Sequence, residues 1–209
     1  MTTIQQPAPI AADWFGTAAR YVAPLPMIMS LFMLVYAFWF IIEWGWLGGA
    51  VFTALAVCAV FWSFRAIRNI QHATSYPSIA TPEGAAQGKK MAILSGITYP
   101  ALWATVLALA LTGHANYIMQ AVVIIIGLHF IPMAPILGRR IDYLLGPLSV
   151  LCGIAGCLLV ATDPAGWRLG FAIASTGGAI ATFIYAIYSL RGYRTMANTA
   201  NALPLPGRR

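Results

Sequence analysis

The chain has 209 residues, of which 60% are hydrophobic and only 8% are charged, and its mean hydropathy is +0.79. An average soluble protein carries roughly 25% charged residues, so this composition cannot cover a surface exposed to water. It excludes a disordered chain, a disulfide-stabilised secreted scaffold and a soluble nucleic-acid-binding domain. The sequence therefore predicts an integral membrane protein of the all-α class.

Six membrane helices are predicted from apolar stretches of about 18 residues or more, the length that crosses roughly 30 Å of hydrocarbon. Residues 1–23 form an N-terminal tail, in which Trp14, Ala18 and Tyr21 recur at helical spacing and predict an interfacial helix. Residues 65–90 are predicted to be a linker, because they are rich in small residues and proline. The six helices are placed at about residues 24–42, 46–64, 91–112, 117–137, 143–162 and 169–190. Residues 191–209 are predicted to be a disordered cytoplasmic tail.

The positions of the basic residues predict the orientation. With a cytoplasmic N terminus, eleven of the twelve Lys and Arg residues lie in cytoplasmic segments, and Arg168 alone lies outside. Cytoplasmic loops of membrane proteins are enriched in Lys and Arg, so both termini are predicted to be cytoplasmic, with three helical hairpins closed by short outer turns. The net charge of +7 is explained by this topology, and no nucleic-acid partner is expected.

Small residues at every fourth position predict which helices pack closely, because they let helix backbones approach in lipid. Such ridges occur on the predicted third, fifth and sixth helices, which we therefore expect in the core. The first helix is crowded with aromatic residues and is expected at the periphery. The ridges consist of Ala92, Gly96, Pro100, Ala104, Ala108 and Thr112; Ser149, Gly153, Cys157 and Ala161; and Gly170, Ala174, Gly178, Thr182 and Ala186.

His129 is the main candidate functional residue, because polar side chains at membrane depth are few and energetically costly. It lies about eight residues, or roughly 12 Å, from the cytoplasmic end of the predicted fourth helix. The same depth on the third helix reaches Tyr99, and on the fifth and sixth helices it falls near Cys152 and Thr182. The sequence therefore predicts a polar layer in the inner third of the membrane.

Three prolines are predicted to break helices beside this layer. Pro132 and Pro135 follow His129, and Pro100 follows Tyr99. A proline leaves the carbonyl four residues earlier without its N–H partner, so backbone polarity should collect next to the imidazole. In the alternative interpretation, His129 only joins two helices by a hydrogen bond, and neighbouring groups satisfy the freed carbonyls.

Charged residues near the membrane faces are weaker candidates. Glu43 lies at the outer face between aromatic residues, where it either caps its helix or meets a cationic solute. Asp142 lies beside Arg139 and Arg140 and is interpreted as part of a local ion pair at the inner face. These arginines could hold a lipid phosphate, although the orientation alone explains them.

No cofactor, metal site or catalytic centre is predicted. Cys58, Cys152 and Cys157 form no Cys-x-x-Cys pair and are interpreted as small packing residues. One membrane histidine is too few for a haem held by two histidines. Residues 84–90 have the wrong spacing for a phosphate-binding loop, so no nucleotide is expected. The expected partners are membrane lipids, with a second copy of the chain or another membrane protein as the alternative.

The sequence Leu-His-Phe-Ile-Pro-Met-Ala at residues 128–134, followed by Tyr-Leu-Leu-Gly at residues 143–146, resembles a pattern in small uncharacterised multi-pass membrane proteins of bacteria. That family carries no activity that could be transferred. The resemblance implies only a multi-pass protein of a bacterial inner membrane.

Three functions remain open. The first, which is favoured, is transport of a small solute, an ion or a proton through the layer around His129, since interrupted helices supply free carbonyls in transporters. The second is a non-catalytic structural or regulatory membrane protein that assembles through the small-residue ridges. The third and least supported is an intramembrane enzyme that acts on a lipid or quinone, with His129 and Tyr99 as acid–base groups.

Overall fold

Helices make up nearly all of the described chain. The computed structural model describes residues 14–202, and these contain no strand. The predicted all-α class is confirmed, and α2 to α6 each contain segments long and apolar enough to cross a membrane. Two 3-10 turns, Ala115–Tyr117 and Pro164–Gly166, precede α4 and α6. The helices are α1 (Phe15–Val22), α2 (Leu25–Thr74), α3 (Pro82–Leu111), α4 (Ile118–Leu137), α5 (Asp142–Thr162) and α6 (Trp167–Thr199).

A sharp turn divides α2. At Gly45 the backbone takes φ +54° and ψ −124°, a conformation outside the helical region that glycine adopts because it has no Cβ. The chain folds back at this point: a Cβ added to Gly48 would lie 1.8 Å from the Phe40 carbonyl oxygen. The backbones on the two sides of the turn are therefore in direct contact.

The two halves of α2 form an antiparallel hairpin. We call residues 25–44 the first arm and residues 46–74 the second arm. Met33 of the first arm packs in one cluster with Ala59 of the second. The arms correspond to the first two predicted membrane helices, although the second arm extends about ten residues further than predicted.

The connection between α2 and α3 is much shorter than the predicted linker of residues 65–90. Only residues 75–81 lie outside the two helices. Thr81 caps α3, since its hydroxyl accepts a hydrogen bond from the Gly84 N–H at 3.1 Å, and Pro82 suits the first helical turn. The small residues that indicated a linker are tolerated within a helix once its first turn is capped.

The predicted disordered tail of residues 191–209 is also corrected. α6 continues to Thr199, because Tyr193 and Ala197 are buried against α1 and α2. Burial of this face stabilises the last part of α6, residues 191–199, where the sequence alone carries few apolar residues. The remainder of both predicted tails, residues 1–13 and 203–209, lies outside the described part of the chain.

A helix, α1, is present where the interfacial helix is predicted, and one face of it packs on the protein. Phe15 is fully buried against the ends of α2 and α6. A Cβ added to Gly16 would lie 1.9 Å from the Pro77 carbonyl oxygen, so α1 lies directly on the connection after α2. Trp14 and Tyr21 are exposed, and they leave α1 with a free aromatic face.

α6 is the central helix of the bundle. It packs against α2 and α5 and also contacts α4 and α1. A Cβ added to Gly156 of α5 would lie 2.5 Å from the Gly170 carbonyl oxygen, so α5 and α6 approach backbone to backbone. The predicted ridge of α6 is buried along its whole length, at Gly170, Ala174, Gly178, Thr182 and Ala186.

Glycines also bring α4 and α5 together. A Cβ added to either Gly127 or Gly146 would lie 2.8 Å from the carbonyl oxygen of the other. Of the predicted α5 ridge, Ser149 and Gly153 are buried, whereas Ala161 is exposed. α4, α5 and α6 thus form a tightly packed core.

The predicted places of the first and third helices are reversed. α3 packs on α4 at one edge of the bundle, and its buried residues are Thr98 and Leu102. Its small-residue ridge faces outward, since a Cβ added to Gly96 would meet no atom within 4 Å. The first arm of α2 packs instead on α6, where the Tyr36 ring lies over Gly178. Small-residue spacing shows where close approach is allowed, but not which helix uses it.

Candidate functional site

His129 lies at the contact between α3 and α4. Its Nδ1 is 2.9 Å from the Thr98 hydroxyl oxygen, and both residues are 8% exposed. The hydrogen bond therefore joins the peripheral helix α3 to the core. Sequence analysis did not select Thr98, which lies one residue before the predicted partner.

The other members of the predicted polar layer lie at different distances from this pair. The Tyr99 ring is 6.1 Å from the His129 ring, centroid to centroid, and the tyrosine is half exposed. Cys152 lies on α5 against Gly177 of α6. The Thr182 hydroxyl donates to the carbonyl one turn earlier in α6, at 2.7 Å. The structure thus brings Tyr99 near the imidazole, and it gives Cys152 and Thr182 separate surroundings.

The three prolines do not break their helices. Pro132 and Pro135 lie inside α4, and Pro100 lies inside α3, and both helices are continuous. A membrane helix accommodates a proline through small local adjustments and through its neighbours. The predicted interruption of α3 and α4 is therefore corrected, although each proline still lacks the N–H that would pair with the carbonyl four residues earlier.

A buried carboxylate lies where α5 begins. Asp142 is 0% exposed, and a carboxylate at such a position requires partners. The Tyr185 hydroxyl of α6 donates a hydrogen bond to Asp142 Oδ1. Arg139 Nε lies 3.9 Å from Oδ2, an oxygen with no hydrogen-bond partner among residues 14–202. One carboxylate oxygen is thus fixed by a hydrogen bond, and the other is held by charge.

Aromatic rings surround this group. The Tyr185 ring stacks on Phe130 with centroids 5.3 Å apart, and the Arg139 guanidinium carbon lies 5.3 Å from the centroid of the same tyrosine. Burial lowers the pKa of Arg139 from its ordinary value, and the neighbouring Asp142 carboxylate opposes this shift. Phe130 directly follows His129 on α4, so α4 contacts this group one residue away from His129. We call Arg139, Asp142 and Tyr185 the carboxylate cluster.

Sequence analysis found the charge pair of this cluster but not its burial. Arg139 does pair with Asp142, whereas Arg140 is exposed. A signal for Tyr185 was present: it lies seven residues after Gly178 and therefore on the buried face of α6. It is one of the few large residues on the buried face of α6, together with Phe171 and Tyr193.

Glu43 is placed at the end of the first arm, two residues before Gly45. It is half buried, and no hydrogen bond or ion pair involves it within the described residues. The next residue, Trp44, stacks on Phe40 with ring centroids 4.8 Å apart. The structure thus places Glu43 beside an aromatic turn, far along the chain from the carboxylate cluster.

A second buried histidine joins the helix ends near α1. His72 Nδ1 lies 2.8 Å from the Tyr193 hydroxyl, which donates to the Asn69 carbonyl at 2.9 Å. Since the phenol has one proton, His72 Nδ1–H donates to Tyr193. The Phe15 ring packs edge-on against the imidazole at 5.8 Å. Sequence analysis did not select His72 because it lies in the predicted linker.

The described residues contain no group of three or more His, Cys, Asp or Glu side chains that could hold a metal ion. The three cysteines are unpaired. Comparisons with protein-family models, curated proteins and solved structures find no match to this chain.

Proposed function

We propose that the chain is an integral membrane protein with six transmembrane segments and with both termini on the cytoplasmic side of a bacterial inner membrane. Within residues 14–202, five helices are long and apolar enough to cross a membrane, and the turn at Gly45 divides the first of them into the two arms, which supports six segments. Large apolar side chains cover their outer faces, among them Ile97, Trp103 and Leu111, which are exposed by 67%, 67% and 78%. Such a surface suits hydrocarbon rather than water.

The basic residues support the proposed orientation. Of the ten Lys and Arg residues within residues 14–202, six lie near the ends of α2 and α6 and in the first part of α3, whereas Arg168 lies at the opposite end of α6. Reporter fusions at residues 75–81 and at residues 113–116 test this orientation. We expect cytoplasmic activity at the first site and external activity at the second. An external signal at residues 75–81 would overturn the topology.

We propose that the protein moves small ions or solutes, with protons as the first candidate. The observation that carries this proposal is the complete burial of Asp142 with Tyr185 as its hydrogen-bond partner. Ionisable groups inside membrane bundles are costly, and they commonly mark the paths of protons and ions. A second titratable group is His129 on α4, which is hydrogen-bonded to Thr98.

The carboxylate cluster has an arrangement suited to taking up one proton. Tyr185 keeps Oδ1 of Asp142 in place, while Oδ2 faces only the charge of Arg139. Addition of a proton to Oδ2 would make the acid neutral and weaken its attraction to Arg139. Loss of that proton would restore the pair. Protonation is thereby linked to the contact that joins α5 to the preceding turn.

Proton movement can be measured with the purified full-length protein in sealed lipid vesicles containing a pH-sensitive dye. Under an imposed pH gradient with valinomycin and potassium, we expect faster collapse than in protein-free vesicles. Collapse of the pH gradient at the protein-free rate, together with protein-free rates of sodium and potassium leakage in vesicles without valinomycin, would contradict ion movement.

A non-catalytic structural role is the second candidate, and the outer face of α3 favours it. Gly96 lies in a ridge of small exposed residues with open space above it. In lipid such a face allows close approach of another helix. Mass measurement in detergent distinguishes this role: we expect a dimer or larger assembly that Gly96→Leu reduces to a monomer. A monomeric wild type would exclude self-assembly through this ridge.

A further inference from the structure

The two arms of α2 enclose an apolar groove on the surface of the bundle. Its cavity volume is about 540 Å³. The arms touch backbone to backbone near Gly48, whereas the groove lies toward their opposite ends, between residues 27–34 and 59–67. The arms therefore diverge as they leave the turn at Gly45, and the groove opens at the end that is cytoplasmic in the proposed topology.

The floor and the walls of the groove differ in size and exposure. Ser30 and Ala59 form a floor of small residues, 2% and 5% exposed, and Leu31 and Phe64 are walls exposed by 62% and 65%. The Ser30 hydroxyl already donates to the Pro26 carbonyl at 2.6 Å. Ser30 and Ser63 are the two polar lining residues, and the other eight are apolar, so the groove matches a hydrocarbon chain better than a polar solute.

Positive charge lies at the open end of this groove. Arg68 lies four residues after Phe64 and therefore on the face of the second arm that lines the groove. Arg65, also exposed, holds its guanidinium carbon 5.1 Å from the centroid of the Phe61 ring, so it lies beside the groove rather than in its lining. The acidic residue of α2, Glu43, lies at the opposite end of the hairpin. The open end consequently favours an anionic headgroup.

We propose that this groove binds one acyl chain of an anionic phospholipid of the cytoplasmic leaflet, with Arg65 and Arg68 meeting the lipid phosphate. The apolar walls hold the chain, and the two arginines supply the charge complementarity. The site rests on the proposed membrane orientation, but it does not depend on ion movement. It assigns a bound lipid to the hairpin of α2, away from the carboxylate cluster.

Lipid retention tests the headgroup contact. The full chain is incubated with phosphatidylglycerol or phosphatidylethanolamine of identical acyl chains, and retained lipid is counted by native mass spectrometry. We expect one phosphatidylglycerol to be retained in preference to phosphatidylethanolamine. Arg65→Gln with Arg68→Gln should lower this retention by about fivefold per arginine. The matched control, Lys89→Gln with Lys90→Gln at the start of α3, should leave it unchanged.

A groove-filling variant tests the chain contact. Val60→Trp places a large ring in the groove and should lower the retention of both lipids roughly tenfold, as expected if about two buried methylenes are displaced. Val57→Trp is the control, because Val57 is exposed and lies outside the groove. The two arginines are exposed, so their replacement should not prevent folding. The arginine variant therefore tests the lipid site even where Val60→Trp does not fold.

Three results would overturn the lipid site. They are equal lipid retention by the arginine variant and its lysine control, equal retention by Val60→Trp and Val57→Trp, and preferential retention of a free fatty acid. An external location of residues 75–81 would refute the orientation instead. Absence of ion movement would leave the lipid result unaffected, so the proposals fail separately.

Discussion

The Tyr185 hydroxyl on α6 donates a hydrogen bond to the Asp142 carboxylate at the start of α5, across 43 residues of sequence. This contact fixes the α4–α5 turn to the central helix. It also gives the buried carboxylate a second partner, since Arg139 Nε lies 3.9 Å from Asp142 Oδ2. A carboxylate with these partners can remain buried in a bundle that is otherwise strongly apolar.

Loss of this hydrogen bond should lower stability in a coupled manner. We expect Tyr185→Phe and Asp142→Ala each to lower the free energy of unfolding by about 1–3 kcal/mol, because each leaves the other member of the pair buried without its hydrogen-bond partner. The double variant should lose less than the sum of the two, by at least about 1 kcal/mol. Denaturant titration in detergent micelles, followed by circular dichroism, measures these values. Strict additivity would show that the two groups do not interact.

The Thr98–His129 hydrogen bond should contribute to holding α3 on α4. Thr98→Val keeps the side-chain shape and removes the hydroxyl, so a loss of about 0.6–1.7 kcal/mol is expected for a bond within a membrane bundle. Thr105→Val is the control, because its hydroxyl donates to Ala101 in its own helix. If both variants lose the same stability in the same titration, the interhelical bond contributes nothing.

Close contact between α4 and α5 predicts opposite effects of two glycine substitutions. Gly146→Ala should lower the free energy of unfolding by about 1–3 kcal/mol, since its Cβ would lie 2.8 Å from the Gly127 carbonyl oxygen. Gly96→Ala should be neutral or stabilising by up to about 1 kcal/mol, because the position is open and alanine favours helix. Thermal unfolding of the two variants gives the comparison. The reverse order would show that α4 and α5 are not in close contact.

The turn of α2 should depend on Gly45. Gly45→Ala places a Cβ on a backbone with φ +54°, and we expect a cost of about 1–3 kcal/mol. Gly49→Ala is the control, since Gly49 lies in the second arm with no atom within 4 Å of an added Cβ. Equal unfolding temperatures for the two variants would contradict a strained turn at Gly45.

The ends of several helices could be predicted from the sequence, because the length of an apolar stretch can be read directly from the residues. α4 and α5 agree with prediction to within one residue. The segments around residues 65–90 and 191–199 could not be predicted in the same manner. Their helicity depends on contacts such as the burial of Tyr193, which composition does not reveal.

The candidate site was harder to predict because burial depends on the lateral order of the helices. Depth along a helix placed Tyr99 near His129, and the actual hydrogen-bond partner is the adjacent Thr98. Depth alone did not indicate that α6 would cover Asp142, so a buried carboxylate was interpreted as a surface pair. The sequence indicates which residues lie at the same depth in the bundle. The packing of the helices decides which of those residues are in contact.

Proton flux in vesicles tests the role of Asp142 most directly. The full-length protein is compared with Asp142→Asn and with Asp163→Asn, whose carboxylate lies in an exposed turn and accepts from the Ala165 N–H. Each variant is first matched to the wild type in helical content and in the amount incorporated into vesicles. We expect Asp142→Asn to reduce the flux to the protein-free rate and Asp163→Asn to retain the wild-type rate. Equal flux in the two variants would contradict a role for the buried carboxylate.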